Sequence, residues 1–194
     1  MPAAVRDPQR DTKRAILDLA EAMIQERGFN GFSYQDIARQ LGVKNAAVHY
    51  HFRAKSDLGV AVVERYQRRF RRWSDGLDAA RLGAWPRLEA FFDIYRMFVR
   101  DARICPNGVL AAEFHTIPPE VQEATRTLVA AFHAWLIRLL EQGQEQGAFH
   151  FKGDPADQAA MIGAALQGGI QMARATGPET FESVVAQLRR QLQP

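Results

Sequence analysis

The sequence predicts an all-α protein of about nine helices, on three observations. Apolar residues recur at three- and four-residue intervals along almost all of the 194-residue chain. The apolar–polar alternation of half-buried strands is nearly absent. Gly and Pro fall between the periodic segments, where helices stop and start.

The first helix is expected over 12–27, with Ile16, Leu19, Ala20, Met23 and Ile24 as its stripe. Asp11 or Thr12 can cap its start, and Gly28 can close it in a left-handed conformation. A short helix follows over 34–41, with Ser33 as cap and Asp36 completing a variant capping box. Gly42 stops it, and a third short helix spans 44–50. A long helix begins at Lys55 and passes Trp73, fraying toward Gly76 and Gly83. Beyond Pro86 the set Leu88, Phe91, Phe92, Tyr95, Phe98 and Val99 marks the fifth. Pro106 suits the first turn of a sixth, reaching about His115. Pro118-Pro119 opens the longest segment, to about Gln146, with the stripe Val121, Ala124, Leu128, Phe132, Trp135, Leu136 and Leu139. Asp154 and Pro155 start a helix reaching Ala175, and Gly177-Pro178 separates it from a last one ending near Gln191.

Composition narrows the class. Apolar residues make up 47% of the chain, enough for a core without metals or disulfides, and the charged fraction of 24% argues against disorder. A single cysteine forms no internal disulfide and fits a reducing cytoplasm, the expected compartment. The polar start, MPAAVRDPQRDTKR, lacks the apolar stretch of a signal peptide, and no apolar run is long enough to span a membrane. The net charge of +3 hides an asymmetry. Residues 1–73 hold 14 Lys/Arg against 8 Asp/Glu, and residues 74–194 hold 11 against 14. A basic first third points to a polyanionic partner for that part alone.

The strongest local signal is SYQDIARQLGVKNAAVHYHF, residues 33–52. Two helices joined by a tight turn need a small residue where they cross, here Ala38. They need a residue comfortable at positive φ in the turn, here Gly42, and an apolar residue pointing back to the core, here Val48. That is helix-turn-helix spacing, with Ile37, Leu41, Val43 and Phe52 adding apolar contacts. Lys44, Asn45, Ala46 and Ala47 open the recognition helix, where side chains reach base edges, and Asn45 suits a bidentate bond to a base. The alanines suit thymine methyls. Ser33, Tyr34, Tyr50, His51 and Lys55 are candidate phosphate donors, and His49 on the same helix is a further candidate DNA contact. In the competing reading, Tyr50 and His51 merely pack. Arg65, Arg68, Arg69, Arg71 and Arg72 lie about 15 Å or more along their helix from Lys55. They read as a solvated or interdomain face.

The stretch ERGFNGFSYQDIARQLGVKNAAVHYHFRAKSDL resembles the DNA-binding domain of the TetR/AcrR family of bacterial transcriptional regulators over about residues 10–60. Tyr50, His51, Phe52 and Lys55 match the family's pattern, whereas His49 stands where a tyrosine is commonest. The resemblance implies a DNA-binding domain over 1–54 and an effector-binding and dimerisation domain over 55–194. It implies a homodimer on a palindromic operator, most simply a repressor released by a small-molecule effector or electrophile. The last two helices are the expected dimer surface, with Ala159, Ala160 and Gly163 among Ile162, Leu166 and Ile170. Alternatively, those small residues face the chain's own core. In the family's pattern the middle helices enclose a cavity. Its expected walls are Phe98, Phe114, Phe132, Trp135, Met161 and Met172, and its polar groups His115, His133, Gln167 and Gln171.

Cys105 precedes Pro106 at a helix start, with Arg103 nearby, an arrangement that favours thiolate. The segment ICPNGVLAAE and the turn AFHFKGDPADQAA are similar to a branch of the family with electrophile-sensing cysteines. This chain departs from that branch in placing a proline directly after the cysteine. An inert, buried Cys105 is the alternative. The sequence contains no HExxH, cysteine pair, phosphate-cradling Gly loop or nucleophile elbow. No catalysis, metal or cofactor is therefore expected. An architectural DNA binder without an effector is the competing class, opposed by the large aromatic-rich second half.

Overall fold

In the computed structural model, which describes residues 8–193 with side chains from residue 11 onward, the periodic segments form nine helices. No strand occurs among the described residues, and the polar segment 1–7 lies outside them. The helices are α1 (Pro8–Arg27), α2 (Tyr34–Leu41), α3 (Asn45–His51), α4 (Lys55–Ala79), α5 (Ala84–Arg100), α6 (Pro106–Ala112), α7 (Pro119–Glu145), α8 (Pro155–Thr176) and α9 (Pro178–Leu192). None is long and apolar enough to cross a membrane among the described residues.

Local chemistry sets most boundaries. Gly28 and Gly42 adopt φ of +84° and +66°, which residues with a Cβ rarely adopt, so α1 and α2 end there. Ser33 and Asp36 form a reciprocal capping box at the start of α2. The Asp154 carboxylate accepts from the Ala156 amide at 2.7 Å and caps α8. Two limits differ from expectation. Asp11 lies in the first turn of α1, where an acid favours the helix dipole, not before it. α6 ends at Ala112 and not near His115, because Thr116 and Ile117 turn their amides onto the Glu113 carbonyl.

Two apolar clusters hold the chain. One joins α5, the second half of α7, α8 and α9 around Phe91, Phe92, Leu139, Ile162, Leu166 and Phe181. The other contains α1, α2 and α3 with Ile16, Ile37, Val48 and Phe52, and each of these fully buried side chains contributes roughly 1.5–3 kcal/mol. It also takes Leu58, Val62 and Val63 from α4, Leu110 from α6, and Val121 and Leu128 from α7. The first three helices therefore share their core with the body.

The arginine run divides accordingly. Arg65 binds Asp18 and lies 3.5 Å from Glu21, and Arg69 binds Glu21, so both tie α4 to α1. Arg71 and Arg72 are exposed.

Candidate nucleic-acid interface and effector cavity

On α3, Val48 is fully buried against the head's core, which turns the opposite face outward. Lys44, at the cap position, is exposed with Asn45 and Ala46, and Ala47 is half-buried. Tyr50 is 70% exposed and has His51 edge-on to its ring at 5.2 Å. These side chains form a contiguous outward face at the helix start and one turn beyond it. Arg53, exposed just after α3, was missed by the sequence reading; a lone cation in a short loop carries no periodic signal. Ser33 is exposed, but its hydroxyl donates to Asp36 at 2.7 Å.

Two predicted contacts, Tyr34 and Lys55, sit elsewhere. Tyr34 is buried, and its hydroxyl donates to the Ala54 carbonyl at 2.5 Å, which ties α2 to the start of α4. Burial, with the Asp57 carboxylate near, pushes its pKa up to about 12. His49 is exposed and packs edge-on to Tyr34 at 4.7 Å, with Nδ1 3.4 Å from the Arg53 carbonyl. Lys55 turns inward. Its ammonium donates to the Phe32 carbonyl and lies 4.7 and 4.4 Å from the Phe29 and Phe32 ring centres. Burial lowers its pKa, while Glu113 and Asp36 oppose that shift. The aromatic faces and an otherwise free loop carbonyl replace the phosphate expected there.

At the joint between head and body lies a cavity of about 300 Å³. Gln25 of α1, Tyr66, Phe70 and Trp73 of α4, Phe98 of α5, Cys105 and Phe132 all line it. Buried Gln25 donates to the Tyr66 hydroxyl at 2.9 Å and accepts from Arg103 at 3.5 Å. Burial pushes the Tyr66 and Cys105 pKa values up. The thiolate expected from the helix start is thus opposed by burial, although the amides of Asn107 and Gly108 and the Gln167 side chain partly offset it.

A second cavity of about 450 Å³ adjoins it across Tyr95, Asn107 and Phe132, and His133, Gln167 and Gln171 line this one. The other predicted wall residues stand apart. Trp135 is buried behind the first cavity, against Phe70 and Phe91. Phe114 and His115 lie in the turn before α7, where Arg126 covers the Phe114 ring. Met161 and Met172 are exposed on α8, in a stripe with Ala160, Ala164 and Gly168. Ala159, Ile162, Leu166 and Ile170, expected at a dimer surface, face the chain's own core.

Below α6, the Glu113 carboxylate accepts from the amides of Phe29 at 2.5 Å and Asn30 at 3.3 Å, while Asn30 Nδ2 donates to Thr116 at 2.8 Å. This clasp joins the α1–α2 turn to the helix whose first turn lines both cavities. Eighty-odd residues of separation hid it from sequence reasoning.

Comparison with known proteins matches this arrangement. Residues 16–62 match the family described as bacterial regulatory proteins, tetR family, and residues 84–188 match the tetracyclin repressor-like C-terminal domain. The chain is similar to the HTH-type transcriptional repressor NemR of Escherichia coli, 24% identical over 186 residues, 93% of this chain and 94% of that protein. It is similar in structure to a TetR-family transcriptional regulator from Agrobacterium tumefaciens, with a TM-score of 0.90 and 29% identity over 95% of this chain and 99% of that one. The reduced form of E. coli NemR shares the fold, with a TM-score of 0.80 at 22% identity over 94% and 97% of the two chains.

Proposed function

Because the chain belongs to the tetR family of bacterial regulatory proteins, we propose that it is a homodimeric repressor released from a palindromic operator by a small molecule bound at the head–body joint. The observation that carries this reading is the first cavity, whose wall is built from both the DNA-reading head and the body.

Residues 1–54 supply the reading unit. Asn45 makes the base-specific contact, Ala46 and Ala47 approach thymine methyls, and Lys44, Tyr50 and Arg53 hold phosphates. Ser33, His49 and His51 lie at the edge of the footprint, and Tyr34 and Lys55 position the helix from behind. Residues 55–194 supply the rest. The exposed stripe Ala160, Met161, Ala164, Gly168 and Met172 on α8 pairs with its copy, and α9 completes a four-helix bundle. A two-fold dimer presents two recognition helices at one operator spacing.

An effector between α1, α4 and α6 favours a placement of the head at another spacing. By linkage, a ligand that weakens DNA binding by some factor is itself weakened by DNA to the same extent. Non-covalent binding is favoured over attack at Cys105, because the thiol is buried and held protonated.

Fluorescence anisotropy with DNA from upstream of its own gene tests the reading, titrated with salt and then with small metabolites and electrophiles. Tight, salt-dependent binding reversed by a compound supports it. DNA affinity indifferent to every compound favours the architectural alternative.

A further inference from the structure

The second cavity contains two amide oxygens that are left without a donor, although the Tyr95 hydroxyl engages the Gln167 side chain. Asn107 Oδ1 and Gln167 Oε1 are both buried and both lack a hydrogen-bond partner, and both residues line this cavity. Asn107 is only 8% exposed. The Gln167 amide is held by its other end, since Nε2 donates to Cys105 Sγ at 3.4 Å, which leaves Oε1 as the free atom. Space for that oxygen exists because residue 108 is glycine. A Cβ there would lie 2.7 Å from Gln167 Oε1. Two buried acceptors without donors are costly in an empty site, and the natural relief is a ligand that brings N–H or O–H groups.

The lining defines that ligand further. Phe91, Tyr95 and Phe132 supply aromatic faces, Val129 and Leu136 supply aliphatic ones, and Ala160, Ala164 and Gly168 place its remaining side beside the proposed pairing stripe of α8. No Lys, Arg, Asp or Glu lines the cavity, and its polar groups are the hydroxyl of Tyr95, the amides of Asn107, Gln167 and Gln171 and the imidazole of His133, so a neutral ligand enters at the lowest desolvation cost. A volume of about 450 Å³ suits a molecule of one or two rings. On the reading of the chain as an effector-responsive regulator, we infer that the second cavity binds a neutral planar aromatic molecule carrying an N–H or O–H donor, which Asn107 and Gln167 receive. This assigns the site to molecules such as indoles, phenols and anilines.

Matched probes on the full-length protein test the assignment by isothermal titration calorimetry. Indole and 1-methylindole differ by one N–H donor, and phenol and anisole by one O–H. Indole and phenol are expected to bind about tenfold or more tightly than their methylated partners, the usual worth of one hydrogen bond in a buried site. Benzoate, an acceptor-only anion, is expected to bind more weakly than phenol. Gln167→Met, which keeps the volume and deletes the acceptor, is expected to bring the indole to 1-methylindole ratio close to one. Should that variant fail to fold, the ratios on the native chain carry the test. Equal affinities within each pair, tighter binding of benzoate, or no heat from any probe at millimolar concentration would overturn the assignment. In the last case, water or the second copy of the chain satisfies the two oxygens. Operator release is measured separately. A donor probe that binds with the expected ratio and leaves the operator complex intact supports this inference while removing the sensor reading for this cavity.

Discussion

Removing the Glu113 carboxylate is expected to loosen the head from the body by a calculable amount. Its bond to the Phe29 amide is short and charge-assisted, and Phe29 is only 3% exposed, so truncation leaves a buried N–H with no acceptor. Such bonds are worth about 1.5–3 kcal/mol, and the exposed second bond to Asn30 adds a few tenths. Glu113→Ala should therefore cost roughly 2–3 kcal/mol, which for a domain of this size lowers Tm by about 4–12 °C. Glu113→Gln keeps the shape and one acceptor, and should cost about half as much. Urea unfolding followed by circular dichroism gives the stability, and hydrogen exchange at the Phe29 and Asn30 amides localises the loss. The clasp also joins α6 to the head, so the factor by which an effector weakens DNA binding should shrink in both variants. If Glu113→Ala stays within about 0.5 kcal/mol of the native chain and exchange at Phe29 is unchanged, the clasp does not hold the head, and the reasoning fails.

Other tests address separate residues. Lys55→Met should leave the salt dependence of operator binding unchanged, whereas Lys44→Met should reduce the slope of log K against log salt by about one per head; a drop with Lys55→Met would mean that its ammonium swings out to phosphate. Cys105 should react with N-ethylmaleimide more slowly than free glutathione at pH 7.5, and mass spectrometry should find it labelled readily only after denaturation. Faster labelling in the native protein would restore the sensing role. Glu89 accepts from Arg189 at 2.5 and 2.6 Å, and that pairing lowers its pKa. A depressed carboxylate stabilises the fold above its unfolded pKa, and the contribution is lost as pH falls through the folded value. Arg189→Met should thus cost about 1 kcal/mol at pH 7 and progressively less as pH falls below the ordinary glutamate range in thermal unfolding, and a cost independent of pH would exclude the ion pair as its source.

The helices and the reading motif were legible because their signals are local. Gly28, Gly42, Ser33 with Asp36, and Asp154 with Pro155 each act within a few residues, and the structure finds them acting so. Orientation across the fold was less legible. α8 carries apolar or small residues on two faces, and spacing alone does not say that Ile162 and Leu166 turn inward while Ala160 and Ala164 turn out. Lys55 matches the pattern of a phosphate contact, yet its long stem also reaches back over Phe29 and Phe32, a choice made by tertiary packing. The cavity residues missed in the sequence, Gln25, Tyr66 and Phe70, belong to helices assigned to other tasks. Periodicity marks a face as buried without saying whether it meets a neighbour or a void.

That the first cavity is walled by Gln25 and Glu21 on one side and by Tyr95 and Phe98 on the other makes it a seam, not a chamber within one half. A seam responds to the size of what fills it. A molecule that matches the 300 Å³ already present acts as mortar, bonding the head in the pose it holds and stiffening it. A bulkier one acts as a wedge and is accommodated only by moving the head. The same few side chains can therefore serve a compound that tightens operator binding and another that abolishes it. Enlarging the void, for instance by Phe70→Ala, would move the boundary between the two kinds of compound toward larger molecules.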